Sequence, residues 1–364
     1  MDSEKKFLYQ QVYQDIKDKI TSAQYQFGDL LPSEREIGEE YHVDRTTVRK
    51  AFSLLVDEGL VEKRAGKGSV VISSNSPVSS IPAVSHKGSI AFLLPKSGGI
   101  SDRITVPFYS ELFYNIEKSC SNAGYSLIYA SLDSAEDLGY IQQQTSNLRG
   151  IIFVSNVREE CIQKALNEHI PCVLLNSYSP LLPSILSDNY SGARKATEYL
   201  LQNGHTSIAV LSGIVSYTTS QERLNGVLSV MREHNLSLPD AFYMRSDNWE
   251  ADGGFNAMYK LLQSGHRLPT AIFCFNDRLA HGAIQALVQS GFSIPDDISI
   301  IGYDNSDHAR YSVPKLSSIE INVPLMAKAT FNSLIDQIAT NEVLPIKILA
   351  PVSLIERDSV KSLI

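Results

Sequence analysis

Apolar residues recur at helical spacing in the first part of the chain. A set spaced by four predicts an amphipathic helix over 8 to 22 and consists of Val12, Ile16 and Ile20. A second helix is predicted to start at Ser33, because Glu36 lies three positions later and completes a capping box. A third helix is predicted to open near Asp44. Its buried face has apolar residues at the i, i+3, i+4 and i+7 positions: Val48, Ala51, Phe52 and Leu55.

The segment that follows the third helix has the pattern of a β-hairpin. Glu58-Gly59 supplies a left-handed stop for the helix. Residues 60 to 63 and 69 to 72 are β-prone, and the glycine-containing segment 65 to 68 joins them. The hairpin is therefore predicted to be a wing with Lys67 at its tip.

A change in composition separates this region from the rest of the chain. Residues 73 to 87 are rich in Ser, Pro and Asn, which predicts a linker, and Pro77 and Pro82 disfavour a long helix within it. From Ser89 onward, short apolar runs such as IAFLL, GIIFV, IAVLS and AIFCF alternate with helical segments, the first of which are 109 to 123, 136 to 147 and 158 to 168.

Strand and helix alternation of this kind predicts an α/β fold. Because the strands are apolar on both faces, we expect parallel sheets that are covered by helices on each side. The alternating region spans roughly 275 residues, which is too long for one small sheet, so we expect two similar lobes.

Composition and charge restrict the class of protein. The 364 residues are 43% hydrophobic and 20% charged, which is typical of a soluble protein with two or three domains. No apolar run approaches the roughly 20 residues of a membrane span, and the amino terminus lacks the apolar stretch of a signal peptide. A cytoplasmic protein without a membrane partner is expected. The four cysteines have no CxxC spacing, so buried thiols are favoured over disulfides or zinc ligands: Cys120, Cys161, Cys172 and Cys274.

The local distribution of charge is more informative than the net charge of −8. Residues 1 to 74 contain 11 Lys and Arg against 13 Asp and Glu, yet the cations cluster in 45 to 50 and 63 to 67. The polar face of the third helix offers two guanidinium groups, a hydroxyl and an ammonium group for phosphates and base edges: Arg45, Thr46, Arg49 and Lys50. Two small positive patches on an acidic body predict weak DNA binding by one copy and therefore a homodimer.

The motifs of this region resemble the winged helix-turn-helix of the GntR family over about residues 8 to 72. The matching segments are Gly28-Asp29, Leu31 to Arg35, Val43 to Arg49, Glu58 to Val61 and Gly66-Lys67-Gly68. The resemblance implies DNA contacts from Arg35, Arg45, Thr46, Thr47, Arg49 and Gly68. Lys67 is a seventh candidate contact because it lies at the tip of the predicted wing. Asp44 departs from the family, which often has Ser there. Asp also caps a helix, but its charge faces phosphate.

Several polar and aromatic residues follow the predicted strands. Ligands in parallel α/β sheets bind beyond the carboxyl ends of the strands, and aromatic rings beside charged groups suit a polyol. Each residue also has a structural alternative. Asp188 could cap a helix that begins near Ser191, and Arg223 could pair with Glu222 or a neighbouring helix. Asp304-Asn305 could form an Asx turn, and Trp249 could lie in the core.

The same region, residues 88 to 358, resembles the sugar-responsive core of LacI-type repressors, which is itself similar to periplasmic sugar-binding proteins. The matching segments are Pro107-Phe108-Tyr109, Ser187-Asp188-Asn189, Asn203-Gly204-His205, Glu222 to Gly226, Phe275-Asn276-Asp277, Ile294 to Ile298 and Ile301 to Asn305. The resemblance implies an effector pocket lined by Phe108, Asp188, Arg223, Trp249, Asn276 and Asp304, with Tyr217 and Thr219 as further candidates. A GntR-type reader joined to a LacI-type sensor is the arrangement of arabinose-responsive repressors, so pentoses are among the expected effectors.

These observations predict three parts: a winged helix-turn-helix domain at 1–72, a linker at 73–87 and a two-lobed sensor and dimerisation domain at 88–364. By the resemblance, lobe one takes about 88–189 and 322–349, and lobe two takes about 190–321 and 350–364. The expected function is a repressor of carbohydrate-utilisation genes. It would bind a palindromic double-stranded operator as a homodimer under the control of a small sugar.

Other classes of protein fit the sequence less well. A solute-binding protein would need a signal peptide and would have no use for residues 1–72. A GntR-type fusion to an aminotransferase-like enzyme would need a cofactor lysine within a large-domain pattern that is absent here. No nucleophile elbow, metal cluster or phosphate-binding glycine loop is evident, so no enzyme activity, cofactor or metal is expected. A non-sugar effector remains open.

Overall fold

The computed structural model of the protein describes residues 8–22, 24–64, 68–72, 87–96, 102–145 and 147–364. The chain divides into two compact units, Met1–Val84 and Ser85–Ile364. None of the helices in the described ranges combines the length and the apolar character that a membrane span requires.

The described residues of the first unit form three helices and a two-stranded hairpin. Their bounds are α1 Leu8–Thr21, α2 Glu34–Glu40, α3 Arg45–Asp57, β1 Val61–Arg64 and β2 Gly68–Val71. The predicted capping box at the start of α2 is confirmed. The Ser33 hydroxyl accepts a hydrogen bond from the Glu36 N–H at 3.3 Å, and the Ser33 N–H donates to the Glu36 carboxylate at 2.7 Å.

The helical faces predicted from the apolar spacing form the core of this unit. Its fully buried members include all seven residues predicted for the faces of α1 and α3, namely Val12, Ile16, Ile20, Val48, Ala51, Phe52 and Leu55. Gly59, at φ +69°, follows the end of α3 as expected. The strands β1 and β2 are antiparallel, with Val61 opposite Val71. Residues 65–67, and with them Lys67, lie outside the described residues, as does the predicted linker except Lys87.

The second unit contains two six-stranded sheets. The first has the order β13-β7-β6-β5-β3-β4 and is parallel throughout; with its helices it is called lobe one. Its strands are β3 Gly88–Leu94, β4 Tyr125–Ser131, β5 Leu148–Val154, β6 Cys172–Leu175, β7 Ser184–Ser187 and β13 Lys347–Ala350. Its helices are α4 Pro107–Ala123, α5 Ala135–Gln144, α6 Glu159–Asn167 and α12 Val323–Thr340.

The second sheet has the order β14-β12-β11-β10-β8-β9 and, with its helices, is called lobe two. Its strands are β8 Ile208–Ser212, β9 Tyr243–Arg245, β10 Ala271–Cys274, β11 Ser299–Asp304, β12 Ser317–Ile321 and β14 Val352–Ile355. Its helices are α7 Asn189–Gln202, α8 Thr218–Glu233, α9 Ala251–Gln263, α10 Asp277–Gln289 and α11 Asp307–Tyr311. One edge strand departs from the expected parallel order. Only Pro351 separates β13 from β14, so the chain enters lobe two directly and β14 pairs antiparallel with β12.

Both sheets are covered on both faces, which explains their continuous apolar strands. In β3, Ile90 and Phe92 face the cluster that contains residues of α4 and α12, whereas Ala91 and Leu93 face residues of α5 and α6. The helix α5 ends three residues before the predicted position, because Thr145 is already extended and Asn147 has φ +54°. The four cysteines are buried and free, as expected, and burial raises the pKa of the Cys172 thiol to about 12.

The helix α12 returns the chain to lobe one after β12. Its buried Gln337 forms two hydrogen bonds with the backbone of Cys172 in β6, donating to the carbonyl at 3.1 Å and accepting from the N–H at 3.3 Å. The chain therefore passes between the lobes three times: after Ser187, after Ile321 and after Ala350.

Candidate functional site

A cavity of about 700 Å³ lies between the two lobes, within the usual size range of small-molecule sites. Residues at the carboxyl ends of strands line it in both lobes, as the rule for parallel sheets requires. Ser155 follows β5, Asn176 follows β6 and Asp304 ends β11. Seven residues singled out from the sequence lie in its wall: Phe108, Tyr217, Thr219, Arg223, Trp249, Asn276 and Asp304.

Aromatic rings form part of the wall from both lobes. In lobe one, Phe108 and Tyr109 lie edge to face with centroids 5.2 Å apart. In lobe two, the rings of Tyr217 and Trp249 are 6.2 Å apart. Trp249 passes directly over Gly213, where an added Cβ would lie 2.5 Å from the indole ring. Because Gly213, directly after β8, has no side chain, the Trp249 ring can lie in the cavity wall.

We expect Gly213→Ala to displace the Trp249 ring. Because the added methyl group would overlap the indole, the free energy of unfolding should fall by about 1–3 kcal/mol. Trp249 is the only tryptophan in the chain, so its fluorescence emission reports the displacement directly. Gly139→Ala in α5 is a matched control, since the nearest atom to its added Cβ is the mobile Lys164 amine at 2.9 Å. Equal emission spectra for the Gly213→Ala variant and the wild type would contradict this packing.

Arg223 brings a nearly buried positive charge to the cavity. Its side chain, on α8, is 4% exposed, and its Nε donates to the Asn189 side chain at 2.9 Å. A second guanidinium nitrogen donates to the Phe275 carbonyl, and the group lies 3.5 Å from the centroid of the Tyr303 ring. Of the two pairings that the sequence allowed, the one with a neighbouring helix is present, because Asn189 is the first residue of α7. These contacts fix the orientation of the guanidinium.

Asp304 faces the same region of the cavity from the end of β11. Its backbone has φ +110°, a conformation that few residues other than glycine adopt. Partial burial raises the pKa of its carboxyl group, and the positive charge of Arg223 acts in the opposite direction. Arg223 and Asp304 together offer a charged donor and a carboxyl group to one ligand.

The buried Asp277 braces the loop that follows Asp304. One carboxylate oxygen accepts from the Ser306 N–H at 2.7 Å and from the Ser306 hydroxyl at 2.9 Å, and the other accepts from the Ser318 hydroxyl at 2.7 Å. Burial raises the pKa of Asp277, while these hydrogen bonds act to lower it. Asp277 therefore supports the site without lining the cavity.

Two of the predicted site residues have local structural roles. Asn276 is the N-cap of α10, where its side chain accepts from the Leu279 N–H at 2.8 Å and donates to the Trp249 carbonyl at 3.0 Å. Asp188 is absent from the cavity wall. Its carboxylate caps α7 by accepting from the Ser191 N–H at 3.0 Å, which is the alternative that the sequence had offered.

The lobe-one wall contains polar residues that sequence reasoning missed. The Arg103 guanidinium lies 4.9 Å from the centroid of the Tyr109 ring and donates to its hydroxyl, which in turn lies 2.9 Å from the Ser155 hydroxyl. Among the described residues of both lobes, the polar lining residues that were missed are Lys96, Arg103, Ser155, Asn156, Asn176, Asp247, Asn248, Glu250, Asp252 and Arg278. Ser155, Asn156 and Asn176 directly follow strands, so the strand-end rule could have identified them.

Charge is distributed unevenly over the cavity. Among the described residues, the lobe-one wall carries Lys96 and Arg103 but no carboxylate. The described lobe-two wall carries four carboxyl groups and two arginines: Asp247, Glu250, Asp252, Asp304, Arg223 and Arg278. Arg278 forms an ion pair with Glu250. A ligand held between the lobes therefore meets cations on one side and mainly acceptors on the other.

An ion pair outside the cavity joins the lobes and connects with Arg223. Lys347 of β13 bonds the Glu222 carboxylate at 2.5 Å, and Glu222 accepts from the Asn189 amide at 3.1 Å. Asn189 also accepts from Arg223. The orientation of the cavity arginine is therefore connected by hydrogen bonds to a contact between lobe one and lobe two.

The first unit presents a polar face on α3. Arg45, Thr46 and Arg49 are exposed there, and Arg35 of α2 is exposed nearby in sequence. Asp44 caps α3, because its carboxylate accepts from the Thr47 N–H at 2.8 Å; it also accepts from the hydroxyls of Thr46 and Thr47. These hydrogen bonds lower the pKa of Asp44 to about 2, and the bond from the Thr46 hydroxyl has the largest effect.

Each of the two units is similar to known proteins. Residues 8–71 match the description "Bacterial regulatory proteins, gntR family", and residues 197–360 match "Periplasmic binding protein-like domain". The HTH-type transcriptional repressor PurR of Klebsiella pneumoniae is 31% identical over 295 residues, which cover 79% of this chain and 84% of that protein. A LacI family transcriptional regulator from Enterococcus faecium with bound ribose is 26% identical, with a TM-score of 0.66 over 76% of this chain and 100% of that one. The lac repressor dimer bound to operator is 22% identical, with a TM-score of 0.66 over 76% of this chain and 96% of that one, and supports the fold alone.

Fold and similarity together define a DNA-binding transcriptional regulator with a ligand-binding, periplasmic-protein-like domain. The chain belongs to the family of LacI- and PurR-type regulators, and its DNA-binding domain is of the GntR type. Both resemblances noted in the sequence are thereby confirmed.

We expect Asp44→Ser to tighten binding of non-specific duplex DNA. Ser retains the cap but removes a negative charge beside Arg45, so affinity should rise about fivefold at low salt. Fluorescence anisotropy with a labelled duplex of random sequence measures this. Asp18→Ser removes the same charge from α1, where the Asp18 carboxylate accepts a hydrogen bond from Gln14 of the same helix, and should have little effect. An unchanged affinity would mean that Asp44 serves only as a cap.

Proposed function

We propose that this protein represses carbohydrate-utilisation genes and that a small sugar bound in the interlobe cavity controls its affinity for operator DNA. The observation that carries the proposal is the placement of Trp249, Arg223 and Asp304 in one wall of a single cavity. Aromatic rings cover the apolar C–H faces of a sugar, and charged side chains bind its hydroxyl groups. The regulator of Enterococcus faecium with bound ribose supports the sugar class.

The proposed DNA interface consists of α3, the start of α2 and the wing: Arg35, Arg45, Thr46, Thr47, Arg49, Lys67 and Gly68. One such unit offers few positive charges and its region is net acidic, so we propose that a homodimer supplies the affinity. Two winged helices would then bind the half-sites of a palindromic operator in the cytoplasm. The proposed mechanism needs no catalytic step, so we infer that the protein is not an enzyme.

In the proposed mechanism, residues 1–72 bind DNA and residues 73–87 form a linker. Residues 88–364 form the sensor and dimerisation domain. Lobe one would take 88–189 and 322–349, and lobe two would take 190–321 and 350–364. The sugar would hold the lobes together and alter the spacing of the two readers. A coupling free energy of about 1–3 kcal/mol is enough to change operator occupancy by one to two orders of magnitude.

A fluorescence titration tests the sugar proposal. Because Trp249 is the only tryptophan and lies in the cavity wall, a bound sugar should change its emission. A panel of pentoses, hexoses and disaccharides should contain a sugar that gives a saturable change and also raises the melting temperature, since a ligand of the folded state stabilises it. If no sugar in the panel does either, the sugar proposal fails.

A second candidate is a non-sugar or acidic effector. Lys96 and Arg103, without a carboxylate on the described lobe-one wall, favour a ligand with an anionic group. Adding glucuronate and ribose 5-phosphate to the same panel separates the candidates. Saturable binding of these anions alone would select the second candidate over a neutral sugar.

A further inference from the structure

One carboxylate in the DNA-binding unit joins two cations from different elements. Glu34, the first residue of α2, accepts a hydrogen bond from Arg49 Nε of α3 at 2.9 Å through one oxygen. Its other oxygen accepts from Lys63 Nζ of β1 at 3.0 Å. The Glu34 side chain is 26% exposed, whereas those of Arg49 and Lys63 are 65% and 49% exposed. An acid therefore lies beneath two outward-facing cations.

The carboxylate is ionised at neutral pH. Partial burial acts to raise the pKa of Glu34, but the hydrogen bonds from Arg49 and Lys63 outweigh it and the pKa is lowered overall. An ionised carboxylate that binds a guanidinium and an ammonium group uses the same hydrogen-bond donors that a DNA phosphate would use. Its own negative charge also repels phosphate.

The location of this cluster gives it a functional consequence. Arg49 belongs to the proposed DNA interface, and Lys63 lies on the strand that leads into the wing. Exposed ion pairs contribute little to stability, so a role in holding α2, α3 and the wing together is a weak explanation for the cluster. Non-specific binding, by contrast, depends almost wholly on how many cations are free to neutralise phosphates.

We propose that Glu34 competes with DNA phosphates for Arg49 and Lys63 and thereby lowers the affinity of this protein for non-specific DNA. The proposal rests on the DNA interface proposed above. Because non-specific sites vastly outnumber operators in a genome, a weaker non-specific affinity leaves more protein free to bind its operator. Glu34 acts through Arg49 and Lys63 and is a positioning residue.

The expected effect of Glu34→Gln follows from counterion release. The amide keeps the size of the side chain but neither attracts the two cations as strongly nor repels phosphate. Each additional phosphate that is neutralised steepens the slope of log K against log salt by about 0.9, which amounts to about an eightfold gain in affinity at 0.1 M salt. We expect at least one additional phosphate contact, and therefore at least that gain.

Fluorescence anisotropy with the full-length protein tests the proposal. The probe is a labelled duplex of random sequence, about 24 base pairs long, which accommodates two half-sites. Titrations run between about 50 and 200 mM KCl, so that the salt slope is measured with the affinity. Glu40→Gln is the matched control, because it removes the same charge from the same helix and its partner, Lys19 at 3.1 Å, lies on α1. Melting curves of both variants verify folding.

The outcomes show whether Glu34 competes with phosphate, whether it does not, or whether the proposed DNA interface is wrong. Tighter binding and a steeper slope for Glu34→Gln, with neither for Glu40→Gln, support competition. The gain should be smaller in a Glu34→Gln, Arg49→Gln double variant, where only Lys63 is released. Equal effects of Glu34→Gln and Glu40→Gln, or weaker binding by Glu34→Gln, would overturn it. If Arg45→Gln, which removes an exposed interface cation that Glu34 does not bind, leaves wild-type binding and slope unchanged, the proposed DNA interface itself fails.

Discussion

Replacement of Arg223 by methionine is expected to abolish the sugar response of this regulator while operator binding persists. Arg223 is the nearly buried cation of the cavity, and the Asn189 side chain and the Phe275 carbonyl fix its guanidinium. Removing one partner of a buried, charged hydrogen bond costs about 2–5 kcal/mol of binding free energy. We therefore expect sugar affinity to fall by about 100-fold or more, because 100-fold corresponds to about 2.7 kcal/mol, in the lower part of that range.

The measurement is a titration of Trp249 fluorescence with the sugar that binds the wild-type protein. Arg223→Lys keeps the charge but loses the planar fork of donors, so it should recover only part of the affinity. Arg232→Met is the matched control, since Arg232 is exposed in the last turn of the same helix. If Arg223→Met binds the sugar as the wild type does, the assignment of the cavity arginine is wrong.

Asp277→Ala is expected to lower the free energy of unfolding of the second unit by about 3 kcal/mol, because it leaves buried hydrogen-bond donors without an acceptor. Those donors are the Ser306 N–H and the hydroxyls of Ser306 and Ser318, each within 2.9 Å of the carboxylate. They lie next to Asp304, so sugar affinity should fall as well.

Urea denaturation followed by Trp249 fluorescence measures the loss in the unit that contains Asp277. Asp277→Asn retains an acceptor oxygen and should be less destabilising than alanine. Asp307→Ala on α11 serves as the control, because that carboxylate is 76% exposed and surface substitutions usually change stability by less than about 0.5 kcal/mol. Equal stability of Asp277→Ala and Asp307→Ala would contradict the bracing role of Asp277.

The helices of the first unit could be predicted closely because their signals are local. The capping box of Ser33 and Glu36 and the apolar face of α3 each depend on residues within one or two helical turns. The contact between Glu34 and Lys63 could not be predicted in the same way. It joins residues 29 positions apart and depends on how the wing packs beside α2.

The cavity shows a comparable limit. Arg223, Trp249 and Asp304 were identified because a family resemblance and the strand-end rule both pointed to them, and all three line the cavity. Asp188 satisfied the same criteria, but a residue at a strand end is also placed to cap the next helix, and its carboxylate does so. Arg103 was missed because it lies in a short 3-10 turn before α4, away from any predicted strand end.

The central claim is that a sugar in the interlobe cavity controls operator affinity. Its most direct test is the binding of the full-length protein to an operator duplex, selected from a random library, with and without a saturating concentration of the sugar that alters Trp249 fluorescence. The account predicts that the sugar changes operator affinity by about 5- to 150-fold in the wild type and leaves it unchanged in Arg223→Met. An operator affinity that is equal with and without the bound sugar in the wild-type protein would contradict it.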